Sequence, residues 1–222
     1  MRPSIDMENH AQFCNLIWDF DGTLFDTIPA MVSAFAQSLK SFGVDAEEEE
    51  IEGMIRLSMG KCIGYYSCRY GLDESILREG FLHRYENVPL EKQPLMPGAL
   101  HVCETVRRIG GCNIIVSHRS ADSLARFLRA YQIEHLFDGW LSAVDGYPRK
   151  PDPFLFNMAL ERYGIDREST IALGDREIDI DAGRRAGLLT VALGEGEWSR
   201  NANLVISHLD ELIPWIAGGR RP

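Results

Sequence analysis

The sequence predicts an α/β protein, a doubly wound parallel sheet whose chain is interrupted after the first strand by an inserted bundle of helices. Three observations carry this. Apolar runs at Cys14–Trp18, Asn113–Ser117 and Thr170–Gly174 end in or run up to a small polar or acidic residue. This is the pattern of strands buried on both faces, not the alternation of a half-solvated sheet. From Leu100 onward helix-like and strand-like stretches alternate, as a parallel sheet with crossover helices requires. Between Thr27 and Pro97 the strand-like runs stop, and apolar residues recur every three or four positions, a helical period.

The first run is followed by Asp19, Asp21 and then Gly22. Residues i and i+2 of a strand point the same way, so the two carboxylates sit near one another at its carboxyl end, where open α/β sheets form ligand crevices. A turn carrying two solvated acids is the competing reading. An EF-hand calcium loop does not fit, because it needs oxygen ligands at alternate positions and glycine at the sixth, whereas Phe20 and the early Gly22 break that pattern. Ile28, Val32, Phe35, Leu39 and Phe42 then mark a helix stopped by Gly43. Ala46–Ser58, Lys61–Arg69 and Asp73–Glu86 read as three more, with Asp73 as N-cap. Pro94–Ala99 marks the return to the sheet. Helices at Leu100–Ile109, Ala121–Tyr131 and Phe154–Tyr163 follow, with strands at Asn113–Ser117, Thr170–Gly174, Leu189–Ala192 and Leu204–Ile206 and a helix stopped by Gly187.

Three later positions carry chemistry. Ser117 closes its strand, and its hydroxyl can hold an anionic oxygen, although a serine there is also a helix cap or turn former. Lys150 stands in Arg149-Lys150-Pro151-Asp152-Pro153, where the prolines limit backbone freedom just before a helix; a solvated lysine in a proline-rich turn is the alternative. Asp175 and Asp179 follow the third run. They are either further site carboxylates or acids favoured by a helix N-terminus.

Taken in order, Asp19-Phe20-Asp21-Gly22-Thr23, Ser117, Lys150-Pro151-Asp152-Pro153 and Gly174-Asp175 through Asp179 resemble the four motifs of the haloacid dehalogenase-like (HAD) superfamily. The place of the helical insertion resembles its phosphoglycolate phosphatase and β-phosphoglucomutase branch. The resemblance runs from about Asn15 to Ile216 and implies a Rossmann-like HAD core from residues 1–27 and 98–222 with a helical cap at 28–97. It also implies Mg2+, held by the Asp19 and Asp175 carboxylates and the Asp21 backbone carbonyl. Asp19 would be the nucleophile that forms an aspartyl-phosphate, and Asp21 the general acid and base. Lys150 would neutralise charge, and Gly22, Thr23, Ser117, His118 and Lys150 would bind the phosphoryl group, His118 through its backbone N–H. Asp179 would support Lys150 or a water beside the ion. His118 and Arg119 depart from the commoner small or amide residues after the motif serine; they either read substrate or pack outside the site. Arg56, Lys61, Tyr65 and Arg69 are candidate selectors in the cap, against the reading that they are solvated surface residues.

The activity so implied is Mg2+-dependent hydrolysis of a small phosphate monoester, with phosphoglycolate the default substrate. A sugar-phosphate mutase and a non-catalytic phosphate-binding regulator are the alternatives. The His-x-x-Lys-type group of mutase caps has no counterpart between Ile51 and Gly64. Dehalogenase and phosphonatase relatives replace the second acid, so Asp21 argues against both.

The resemblance implies a small phosphorylated metabolite as partner, and composition argues against other classes. A net charge of −10 over 222 residues disfavours nucleic acid. No run of about 18 apolar residues is present for a membrane span, and Met1–Gln12 is polar and unlike a signal peptide, so a cytoplasmic protein is expected. Five scattered cysteines without a Cys-x-x-Cys pair support neither a disulfide framework nor a zinc site. The acid run Glu47–Glu50 reads as a solvated helix start.

Overall fold

A computed structural model describes residues 13–143 and 146–217. The expectation for Met1–Gln12 lies outside them. In chain order, β1 (Asn15–Trp18) is followed by α1 (Ile28–Lys40), α2 (Glu48–Leu57), α3 (Met59–Tyr70) and α4 (Glu74–Glu86). After them come α5 (Ala99–Arg108), β2 (Asn113–Ser117), α6 (Ala121–Ala130), β3 (Gly139–Ser142) and α7 (Phe154–Tyr163). The chain ends with β4 (Thr170–Gly174), α8 (Glu177–Arg185), β5 (Leu189–Leu193), β6 (Leu204–Ile206) and α9 (Ile213–Ala217). It divides into two compact units, Met1–Leu24 with Leu95–Pro222, and Phe25–Pro94.

The first unit is a six-stranded, all-parallel sheet in the order β3-β2-β1-β4-β5-β6, a doubly wound Rossmann-like arrangement. Every residue of β1, β2 and β4 is buried, which is why they read as continuous apolar runs. The register pairs Trp18 with Ile115 and with Leu173, so the three carboxyl ends lie at one edge of the sheet, with β2 running two residues and β4 one residue past the end of β1. The order turns back at β1, which has β2 on one side and β4 on the other. Ligand crevices form at such a switch point.

β3 has no counterpart among the strands that the sequence predicts. It is a four-residue edge strand, half-buried at Gly139 and Trp140 and buried at Leu141 and Ser142, too short and mixed to show a period. Asn113 ties the middle of the sheet to its surroundings: its Oδ1 accepts from Trp18 Nε1 at 3.0 Å, and its Nδ2 donates to the carbonyls of Cys103 and Leu136. A fully buried Trp18 N–H needs such an acceptor.

The second unit is a four-helix cluster around Phe35, Leu39, Ile51, Ile63, Tyr66, Leu77 and Phe81. Its boundaries follow cap chemistry. Ser58 ends α2 and caps α3, accepting from Lys61 N at 3.1 Å. Asp73 caps α4, as expected, accepting from Ser75 N and Ile76 N. The first helix stops at Lys40, just before Phe42, which is exposed.

Among the described residues no helix is long and apolar enough to cross a membrane, and all five cysteines are free thiols.

Asn113→Ala is expected to cost about 2 kcal/mol, because it leaves the buried Trp18 N–H without an acceptor. Urea unfolding measures this, and a loss below about 0.5 kcal/mol would show that the bond carries no such weight.

Candidate active site

Asp19 immediately follows β1, and its backbone N–H donates to Leu173 O across to β4 at 2.8 Å. Asp19, His118 and Asp175 follow the ends of β1, β2 and β4 at the same edge of the sheet. Lys150 arrives from the loop ahead of α7 and is buried. Its Nζ donates to Asp19 Oδ1 at 2.6 Å and to Val116 O at 3.1 Å, and lies 2.5 Å from Asp179 Oδ1. Two hydrogen bonds and one ion pair thus surround the ammonium.

Asp19, Asp175 and Asp179 are all buried and each brings one carboxylate oxygen to within 4.8 Å of the others. Two glycines permit that closeness. Gly22 has φ +82°, and a Cβ there would overlap Asp175 Oδ2; a Cβ at Gly174 would overlap the side chain of Asp179. Thr23 Oγ1 donates to Asp175 Oδ1 at 3.0 Å, orienting that carboxylate. Three hard oxygen donors converging in a space that a side chain would fill fit a divalent cation of the Mg2+ type.

The electrostatics follow from burial against charge. Burial works against ionising Asp19, but Lys150 and Arg176 outweigh it and hold its carboxyl below the ordinary range. For Asp179, burial and the negative charge of Asp19 prevail over the same two cations and push its pKa up. Burial opposes charge on Lys150 too, yet Asp179 and Asp19 raise its pKa overall, so it stays an ammonium.

Two arginines complete the site: the sequence does not mark Arg176, and it leaves Arg119 either reading substrate or packing outside the site. Arg176 Nη2 donates to Asp19 Oδ2 at 3.2 Å, and its Nε lies 3.6 Å from Asp179 Oδ2. Arg119 pairs through Nη2 with Asp21 Oδ1. A motif with variable positions fixes neither role: Arg176 occupies the variable place after Asp175, and Arg119 the place two after Ser117.

Ser117 is buried at the end of β2, with Oγ accepting from Arg119 N at 3.1 Å. The His118 imidazole acts separately from its main chain, with Nε2 accepting from the Lys150 backbone N–H at 2.9 Å. Only a neutral ring can accept there. Burial, then the charges of Lys150, Arg149 and Arg176, lower its pKa to about 3. Of the cap candidates, Arg56 pairs with Glu52 at 2.8 Å, Tyr65 donates to Glu50 at 2.7 Å, Arg69 joins the same Glu50 at 2.7 Å, and Lys61 is exposed.

The sequence matches the family model for haloacid dehalogenase-like hydrolases over residues 16–193. The chain belongs to the haloacid dehalogenase-like hydrolases. Among curated relatives, a phosphoglycolate phosphatase of Mesorhizobium japonicum is 26% identical over 91% of this chain and 94% of its own length. The pyrophosphatase PpaX of Oceanobacillus iheyensis is also 26% identical, over 89% of this chain and 91% of its own. The crystal structure of β-phosphoglucomutase from Clostridium difficile superposes with a TM-score of 0.74 at 20% identity, covering 93% of this hydrolase and 96% of that chain, a likeness of fold.

Two outcomes are expected of the hydrolase. Gly22→Ala combines a strained left-handed backbone with a clash against Asp175 and should cost about 1–3 kcal/mol in urea unfolding; a neutral effect would contradict the packing described. For His118, the folded pKa of about 3 lies below the ordinary 6.5, so the unfolded chain binds the proton more readily between those values. His118 therefore contributes stability that is full above pH 6.5 and declines as pH falls towards 3. The His118→Gln variant should lose stability less steeply than the parent over that window, and parallel curves would remove His118 as a contributor.

Proposed function

We propose that this hydrolase is a phosphatase of small phosphate monoesters, Mg2+-dependent and acting through an aspartyl-phosphate on Asp19. The observation that carries the reading is the buried Asp19 carboxylate, kept ionised by Lys150 and Arg176 beside Asp175 and Asp179. Relatives named phosphoglycolate phosphatase and pyrophosphatase support a small phosphorylated substrate, and phosphoglycolate is the first candidate.

The Asp19 and Asp175 carboxylates and the Asp21 backbone carbonyl would hold the ion. When bound, it neutralises charge on the nucleophile and on the phosphoryl oxygens.

The side chains then divide the work. An Asp19 oxygen attacks phosphorus in line, and the bond to the leaving oxygen breaks. Asp21 gives its proton to the departing alkoxide, then takes one from the water that attacks the aspartyl-phosphate, releasing inorganic phosphate and restoring Asp19. Lys150 offsets negative charge on both reactants. The Ser117 hydroxyl and the backbone N–H groups of Gly22, Thr23 and His118 are assigned to the phosphoryl oxygens, as in other anion-binding nests. Asp179 fixes Lys150. Residues 28–97 are assigned the role of cap, which would select the leaving group through residues such as Arg56, Lys61 and Tyr65.

The test is phosphate release from p-nitrophenyl phosphate, phosphoglycolate, nucleotides, sugar phosphates and pyrophosphate, with Mg2+ and with chelator. Chelator-sensitive release is expected, and Asp19→Asn should lower it by about a thousand-fold or more while leaving the fold intact. Silence across the set, or an active Asp19→Asn variant, would overturn the proposal.

A further inference from the structure

Arg119 is the least explained side chain of the core. It is a guanidinium only 8% exposed, held at several points. Its carbon lies over the Phe20 ring at 5.1 Å and the Phe127 ring at 4.9 Å, and those rings meet edge to face at 5.3 Å. Nη1 donates to Ser123 Oγ at 3.0 Å. Its main chain is pinned too: N donates to Ser117 Oγ at 3.1 Å, and O accepts from Ser142 Oγ at 2.7 Å. β2, α6 and β3 therefore all contribute to fixing one guanidinium, and its remaining face meets Asp21 Oδ1.

Such an arrangement is poorly accounted for by stability alone. A buried ion pair repays its desolvation only with difficulty, and an apolar side chain of similar volume between Phe20 and Phe127 would serve packing as well. What an immobilised arginine supplies is direction, because its planar fork loses little further freedom on pairing. Asp21 needs direction. It follows β1 by three positions, precedes the left-handed Gly22, and its side chain is 16% exposed.

We infer that Arg119 is the positioning residue for Asp21: it selects the carboxylate orientation from which Asp21 exchanges its proton with the leaving group. This rests on Asp21 being the general acid and base proposed above. With Oδ1 engaged by the guanidinium, Oδ2 is assigned the proton that passes to the leaving alkoxide as the phosphorus–oxygen bond breaks. Arg119 itself gives up no proton, since a guanidinium stays charged.

The test separates leaving groups. In the Mg2+-loaded enzyme, kcat and KM are measured for glycerol 2-phosphate, whose alkoxide needs a proton to leave, and for p-nitrophenyl phosphate, whose phenolate does not. Asp21→Asn should lose about two to four orders of magnitude in kcat/KM on the alkyl ester and much less on the aryl ester. Arg119→Met, which keeps contact with Phe20 and Phe127, should show the same selectivity in kcat/KM at about ten-fold or more. Arg119→Lys should recover part of it. Adding Arg119→Met to Asp21→Asn should cause no further selective loss, because both act through one carboxylate.

Equal losses of Arg119→Met in kcat/KM on both esters would reduce Arg119 to a structural role, and a raised KM with unchanged kcat would make it a substrate-binding cation; either overturns the inference. If Arg119→Met does not fold, the same selectivity is read from Arg119→Lys and the same outcomes decide. A missing leaving-group effect in Asp21→Asn itself would instead strike the acid–base reading on which the inference stands.

Discussion

The Lys150 ammonium, buried among Asp19, Asp179 and the Val116 carbonyl, is the interaction on which the rest of the site depends. Two carboxylates that close to each other cannot both be buried without a cation between them, since removing one partner of a buried ion pair leaves an uncompensated charge worth several kcal/mol. The cation must come from outside the strands that carry the acids, which is why the loop before α7 enters the sheet's carboxyl edge. His118 holds that loop by accepting from the Lys150 main chain. A residue just after β2 thereby fixes the backbone whose side chain reaches Asp19 after β1 and Asp179 in α8.

Charge balance extends the same constraint. Asp19, Asp175 and Asp179 face Lys150 and Arg176, so three acids meet two cations, while Asp21 is paired separately with Arg119. The three-acid group keeps one negative charge more than its own cations offset. A site of this kind attracts a further cation, and the oxygen donors left around it are of the hard type that Mg2+ prefers. The glycines at 22 and 174 are part of this balance, because either Cβ would push a carboxylate out of the group.

Much of this is legible in the sequence, for physical reasons that also mark where legibility ends. β1, β2 and β4 are buried on both faces, so their apolar runs stand out, and the acids after β1 and β4 can be placed at one sheet edge. The caps of α3 and α4 follow from local chemistry at Ser58 and Asp73, although only Asp73 is marked as one by the residues around it. β3 escapes because an edge strand of four residues with Gly139, half-buried Trp140 and Ser142 has no run and no alternation. Arg176, and the partner of Arg119, which the sequence leaves either reading substrate or packing outside the site, escape for a different reason. A long side chain reaches its partner through space, and nothing in the spacing along the chain records that Arg119 turns to Asp21 or that Arg176 turns back to Asp19. His118 is expected from the sequence to serve through its backbone N–H; its ring's bond to Lys150 joins residues 32 apart, which no local pattern encodes.

The central claim is that Asp19 becomes covalently phosphorylated. Trapping the enzyme during turnover of p-nitrophenyl phosphate with borohydride, which reduces an acyl phosphate to an alcohol, and sequencing the peptides by mass spectrometry tests it most directly. The reduced side chain is predicted at position 19 alone, and only when substrate and Mg2+ are both present. Turnover without any reduced residue, or with the label on another side chain, would contradict the account.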